Sequence, residues 1–210
     1  MVADWHSRLD DGLAALDNPA ALAIRHALAD YVALLAKWNR AFNLTAVREP
    51  AEMVTRHILD SLVVAPFVPA GSLCDVGTGP GLPGIPLAML DTGRPVTLLD
   101  SNIKKTRFCR QAAAELGLEN IEVVHARVEG YRPEQGFATV ISRAFATLAD
   151  FVETSRHLVA DGGIMLAMKG TYPADELAGL PADVAVGETH RLRVPGLQAE
   201  RHLIELRPSR

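Results

Sequence analysis

DVGTGPGLPG, residues 75–84, joins a short apolar run, SLCDV at 72–76, to a segment patterned as a helix over 83–91. Gly77, Gly79 and Gly81 let the backbone turn sharply and approach a ligand without Cβ clashes. Two ligand classes compete for such a loop. A G-x-G-x-x-G pattern at Gly79, Gly81 and Gly84 suits a dinucleotide pyrophosphate held at a helix N-terminus. Asp75, however, sets a carboxylate at the loop entrance, which repels a pyrophosphate and favours an ammonium group such as that of a methionine moiety. Pro83 also removes one backbone donor that a pyrophosphate would use. The balance points to S-adenosylmethionine.

Outward from the loop, apolar runs at PVTLLD (95–100), IEVVH (121–125), FATVIS (137–142) and GIMLAMK (163–169) alternate with helical patterns at 102–117 and 147–160. Such alternation predicts a parallel sheet with helices on both faces. Residues 183–195 and 200–208 read as two strands around a turn at Pro195-Gly196, an antiparallel hairpin that a plain dinucleotide-binding sheet usually lacks. Upstream, Ile24, Ala27, Leu28, Tyr31, Leu34, Leu35 and Trp38 fall at helical spacing, with Asn18-Pro19 as the start signal. A second helix is predicted from Pro50 to Ala65, with a core stripe of Val54, Ile58 and Leu62 beside a charged stripe of Glu52, Arg56 and Asp60. The expected fold is an α/β, Rossmann-like class I methyltransferase: a mostly parallel seven-stranded sheet with a C-terminal antiparallel hairpin. Residues 1–66 form a helical extension packed on a methyltransferase domain at 67–210, in one globular unit.

Composition narrows the function. At 210 residues there is room for one α/β domain and a short extension. Aromatics at 5% argue against a broad face of stacked rings for single strands, and a net charge of −4 argues against non-specific coating of nucleic acid. Cys74 and Cys109 form no metal or disulfide framework and suit a reducing compartment. The opening MVADWHSRLDDG has no apolar core of signal-peptide length, and no run reaches the ~18 apolar residues of a membrane span. A cytoplasmic monomer without a metal or membrane partner is expected.

Asp100 ends the second strand, where a carboxylate accepts both hydroxyls of an adenosine ribose; Ser101 or Asn102 can cap the next helix. Val128 and Glu129, in the turn after the third strand, lie where an adenine edge is read. Arg143 follows the fourth strand, at the carboxyl edge where ligands bind. Arg56, His57 and Ser61 make a patch for the target nucleotide, or a packing contact. Lys169, ending the fifth strand, is placed to hold an RNA phosphate. Both cysteines read as core, and SRAF at 142–145 stands where amino-group methylases carry an Asn-Pro-Pro-aromatic or Asp-Pro-Pro-Tyr segment.

KWNRAFNLTAVREPAEMVTRHILDSLVVAPF (37–67), DVGTGPGLPGIPL (75–87), TLLDS (97–101), LENIEVVHARVE (118–129), VISRAFATL (140–148) and AMKG (167–170) together resemble the RsmG family, also called glucose-inhibited division protein B. The resemblance implies a 16S rRNA guanine-N7 methyltransferase acting on the small ribosomal subunit or its assembly intermediate. By matching position it implies cofactor contacts at Gly77, Leu82, Val128, Glu129 and Arg143. Ring nitrogen 7 carries a lone pair and no proton, so positioning suffices and no catalytic residue is certain; Arg143 is the candidate. A nicotinamide- or flavin-dependent oxidoreductase, a non-catalytic ribosome-assembly factor, and a methylase of proteins or metabolites are the competing readings.

Overall fold

The computed structural model describes residues 4–143 and 145–209. Ala144 of the SRAF segment lies outside them, as do residues 1–3 and 210. Seven strands form one sheet: β1 (Leu73–Val76), β2 (Val96–Asp100), β3 (Ile121–His125), β4 (Phe137–Ser142), β5 (Val159–Lys169), β6 (Val184–Leu192) and β7 (Arg201–Pro208). Their order is β3-β2-β1-β4-β5-β7-β6. The first five pair in parallel, while β7 runs antiparallel to both β5 and β6. The order reverses at β1 and β4, so a crevice opens beyond their carboxyl ends, the position where open α/β sheets bind ligands.

Alternation along the strands splits the core in two. Leu73, Leu98 and Ile141 face a cluster with the N-terminal helices α1 (Trp5–Ala15), α2 (Pro19–Ala23) and α3 (Arg25–Phe42). Next in the chain come α4 (Pro50–Met53) and α5 (Asp60–Leu62), and then α6 (Gly84–Leu90) and α7 (Ile103–Glu115). Cys74, Val76, Leu99 and Val140 face the other cluster, built on α8 (Leu148–Ser155), with α9 (Ala174–Ala178) beyond it. Both cysteines are buried. Each fully buried Leu or Phe contributes about 1.5–3 kcal/mol of transfer free energy.

Three boundaries depart from the sequence pattern. Asn18 caps as expected, its Oδ1 accepting from the Ala20 and Ala21 amides, but α2 stops at Ala23 and α3 restarts at Arg25. The helix predicted to reach residue 160 ends at Ser155, and β5 starts at Val159 rather than Gly163. Asp161-Gly162-Gly163 reads as a break, yet Gly162 (φ +73°) turns within the strand, where the register against β4 shifts. Between α4 and α5 the chain makes a π-helical turn, Val54–Leu59. Asp60, at the start of α5, is 1% exposed, whereas Glu52 and Arg56, the other members of the expected charged stripe, are exposed.

Candidate functional site

The β1 pleat sends the Asp75 side chain under the glycine loop, fully buried, rather than to the loop entrance expected from sequence. Its Oδ2 accepts from Thr78 Oγ1 at 2.6 Å and from the Gly84 amide at 2.8 Å. Oδ1 is buried with no hydrogen-bond partner among the described residues. Burial pushes the carboxyl up to about 6, against the lowering effect of the two hydrogen bonds. Gly84 must stay small, because a Cβ there would stand 2.2 Å from Leu98 Cδ2 and 2.9 Å from Asp75 Oδ2. The loop crest is held as well. Gly79, at φ +62°, donates its amide to Asp100 Oδ2 at 2.9 Å and accepts from the Cys109 thiol at 3.4 Å. Buried Tyr31 donates its hydroxyl to the Pro80 carbonyl at 2.7 Å.

These contacts decide between the two ligand classes. At the start of α6 the Gly84 amide is taken by Asp75, the Ile85 amide donates to the Gly81 carbonyl at 2.8 Å, and Pro86 has no N–H. No free amide remains there for a pyrophosphate. The Asp75 carboxylate, sealed beneath the loop, acts by its charge alone, which favours a cationic ligand over a pyrophosphate.

Beyond the loop lies a cleft of about 180 Å³, with apolar walls from Val76, Leu99, Ala126, Val128 and Phe145. Gly77, Asp100, Ser101 and Glu129 bring polar groups to it. Asp100 Oδ1 accepts from the Asn102 amide at 2.8 Å, and Asn102 in turn caps α7 at Lys104. Since a carboxylate has about four acceptor sites, Asp100 retains capacity for ribose hydroxyls after binding these two amides. Of the residues expected from sequence to hold a cofactor, Gly77, Asp100, Ser101, Val128 and Glu129 meet in this cleft. Asp75, Gly79, Gly81 and Leu82 form the buried part of the loop behind it. Asp100→Ala is expected to weaken cofactor binding by about 1.5–3 kcal/mol, through lost charge-assisted hydrogen bonds and a freed Gly79 amide. Calorimetry checks this; unchanged affinity would remove Asp100 from the site.

A second pocket, about 310 Å³, is lined by Arg56, His57, Asp60, Arg143, Lys169 and Arg201, among others. Asp60 is its hub. Its Oδ2 lies 3.1 Å from Arg143 Nη1 and its Oδ1 2.8 Å from Arg201 Nε. Arg143 also donates to the Arg56 carbonyl at 3.1 Å. In place of the Arg56–Asp60 pair expected from sequence, Asp60 takes these long-range partners. Arg143 thus lines this pocket and is not among the residues lining the cleft. Ser61 has no exposure and donates to the His57 carbonyl at 2.6 Å, so it supports the helix and does not face the crevice. His57 donates from Nδ1 to the Arg56 carbonyl and accepts at Nε2 from Thr45, each at 2.9 Å. Burial, aided by the nearby Arg143 charge, pushes its ring down to about 4, so it is neutral at pH 7. Lys169 pairs with Glu176 at 2.8 Å and donates to the Ala146 carbonyl at 2.8 Å. An RNA phosphate at Lys169 has to compete with that carboxylate.

Among the described residues of this pocket, then, the Asp60 carboxylate is committed to two guanidiniums and the His57 acceptor nitrogen to a hydroxyl. Among the described residues the pocket is a cationic frame whose carboxylate is paired with two guanidiniums and whose histidine is a weak base. Sequence reasoning missed Val76, Leu99, Ala126, Arg127 and Phe145 of the cleft, and, in the pocket, Asp60 as a site residue and Arg201 altogether. The HARVEGY and SRAF turns carried a signal for Ala126, Arg127 and Phe145. Arg201 had none, since it is brought in by the β5–β7 pairing of Lys169 with His202.

A family model described as rRNA small subunit methyltransferase G matches residues 24–204. A Ribosomal RNA small subunit methyltransferase G of Ectopseudomonas mendocina (strain ymp) is 58% identical over 181 residues, covering 85% of each chain. The enzyme of that name from Pseudomonas syringae pv. syringae (strain B728a) is 50% identical over 208 residues, covering 99% of this chain and 97% of its own. Among solved structures, a SAM dependent methyltransferase from Aquifex aeolicus superposes with a TM-score of 0.57 at 16% identity, over 75% of this chain and 93% of that one, a likeness of fold.

Proposed function

The chain belongs to the rRNA small subunit methyltransferase G family, and from that membership we propose that it transfers a methyl group from S-adenosylmethionine to ring nitrogen 7 of a guanine in 16S rRNA. It acts as a cytoplasmic monomer on the small ribosomal subunit or its assembly intermediate, with residues 1–66 as an extension packed on a methyltransferase domain at 67–210. One observation supports the choice of acceptor: the pocket beside the cleft is framed by Arg56, Arg143, Lys169 and Arg201, its Asp60 is paired with two of them, and its His57 is a weak base. An exocyclic amine or a hydroxyl needs a group to take its proton, whereas guanine nitrogen 7 attacks with an in-plane lone pair.

The residues present fit S-adenosylmethionine. On this reading Asp100 and Ser101 hold the ribose, Val128 and Glu129 read the adenine, and Asp75 supplies negative charge beneath the loop that Gly77 opens. When bound, the cofactor supplies an electrophilic methyl on a sulfonium. The protein's own part is to hold the loop rigid through Asp75, Asp100 and Tyr31, and to fix the guanidiniums of Arg143 and Arg201 on Asp60. Positioning of this kind supplies about 7–11 kcal/mol of barrier lowering when reacting atoms are aligned. In A-form RNA the deep groove hides nitrogen 7, so the target guanine is unpaired or looped out.

The test is transfer from labelled S-adenosylmethionine to small ribosomal subunits lacking the modification, followed by digestion to nucleosides. Label in 7-methylguanosine supports the proposal. Label in another nucleoside, or in protein alone, overturns it.

A further inference from the structure

Two stretches hold the chain's basic residues apart from its acids. Residues 31–48 contain Lys37, Arg40 and Arg48 and no Asp or Glu; residues 101–114 contain Lys104, Lys105, Arg107 and Arg110 and again no acid. Those seven leave 14 basic residues against 25 acidic ones elsewhere, so a chain of net charge −4 has gathered positive charge in one place. The fold joins the two stretches. Phe108 of α7 packs edge-on against Trp38 of α3, ring centroids 5.7 Å apart, and tilted against Tyr31 at 6.2 Å. On α3, Lys37 and Arg40 share an exposed ridge at i and i+3; on α7, Lys104 and Arg107 do the same. None of the four takes part in the ion pairs of the described residues, whereas Lys105 lies 3.9 Å from Asp100.

Two large apolar side chains at the ends of the same helices are exposed as well. Phe42 is 42% exposed and Ile103 is 41% exposed. The face also adjoins both pockets. Ser101, just ahead of α7, lines the cofactor cleft, and Val47, just past α3, lines the cationic pocket.

We propose that the exposed face of α3 and α7, with Lys37, Arg40, Lys104 and Arg107, docks the RNA strand that flanks the target guanine. The occupant is chosen by charge complementarity. Four cations outside the ion pairs of the described residues outnumber Asp30 and Glu115, the exposed acids of the two helices, and fit a phosphate backbone, while an exposed Phe offers a platform for an unstacked base. The acidic remainder repels RNA, so the docking face sets the register of the strand rather than binding RNA everywhere.

This inference rests on the reading of rRNA as substrate. The test uses the double variants Lys37→Gln/Arg40→Gln and Lys104→Gln/Arg107→Gln and the combined fourfold variant. Binding to small ribosomal subunits is measured across a KCl series, with calorimetry for S-adenosylmethionine and a thermal melt alongside. Each double variant is expected to bind subunits about 10-fold more weakly and to lower the log affinity–log salt slope by about two. Cofactor affinity and melting temperature stay at the wild-type values. Unchanged subunit affinity and slope in the fourfold variant, or an equal fall in cofactor affinity, overturns the docking face. Wild-type protein that neither binds nor methylates subunits contradicts the substrate reading instead.

Discussion

Asp60→Ala is expected to lower stability by about 2–3 kcal/mol and methylation of small subunits by about 100-fold, while cofactor affinity changes by less than about 2-fold. Its carboxylate is 2% exposed, and each oxygen holds one arginine. Removing it leaves two guanidiniums side by side with no counter-charge, a loss of about 3–5 kcal/mol when such groups are fully buried. Arg143 and Arg201 retain 26% and 20% side-chain exposure, so solvent screens part of the repulsion and the lower figure applies. The functional loss, about 2.7 kcal/mol on the barrier, is of the same size as the stability loss, because both arginines then leave the geometry that frames the pocket. Asp60→Asn keeps an acceptor without the charge and should fall between. Denaturant melts with parallel subunit-methylation and cofactor-binding assays check this. Methylation retained at the wild-type level in a destabilised variant would make Asp60 a purely structural residue.

Asp75→Asn is expected to do the opposite to stability while weakening cofactor binding by about 10- to 100-fold. Burial raises the folded carboxyl from 3.8 to about 6. The sign comes from linkage. Between those values the folded chain binds the extra proton, so stability is full below 3.8 and is lost as pH rises through 6. Above pH 7 the ionised, buried group therefore costs the fold about 3 kcal/mol, by the shift of about two units. Asparagine removes that charge and still accepts from Thr78 and Gly84. Its amide must sit where Oδ1 now lacks a partner, so the net gain is about 1–2 kcal/mol. The variant should thus melt above wild type at pH 8 and lose that advantage by about pH 4. A variant less stable than wild type at pH 8 would show that the carboxylate is not strained by burial. Unchanged cofactor affinity would show that its charge serves the loop alone.

The two residues mark the limits of legibility in the sequence. Buried parallel strands read as short apolar runs, and the positive-φ glycines after β1 could not be mistaken for an ordinary turn. Asp100 was equally plain, because a strand-end carboxylate has one crevice to face. Asp60 was not. Its partners lie 83 and 141 positions along the chain, out of reach of any reading of the helix that carries it. Asp75 is named by the sequence as a carboxylate before the loop, without any sign of which way the pleat points it. Lys169 reads as a free cation until α9 brings Glu176 against it.

On the proposed mechanism the pocket positions a guanine whose nitrogen 7 needs no base. The most direct test is single-turnover methyl transfer, by rapid quench, with saturating cofactor and small ribosomal subunits. The pH runs from about 6.5 to 8.5, with folding checked at each point. Positioning predicts a rate that changes by less than about 2-fold across that range, with the level falling when Arg143 or Arg201 is replaced. A log-linear rise of slope one would require a titrating base and would contradict nitrogen 7 as the acceptor.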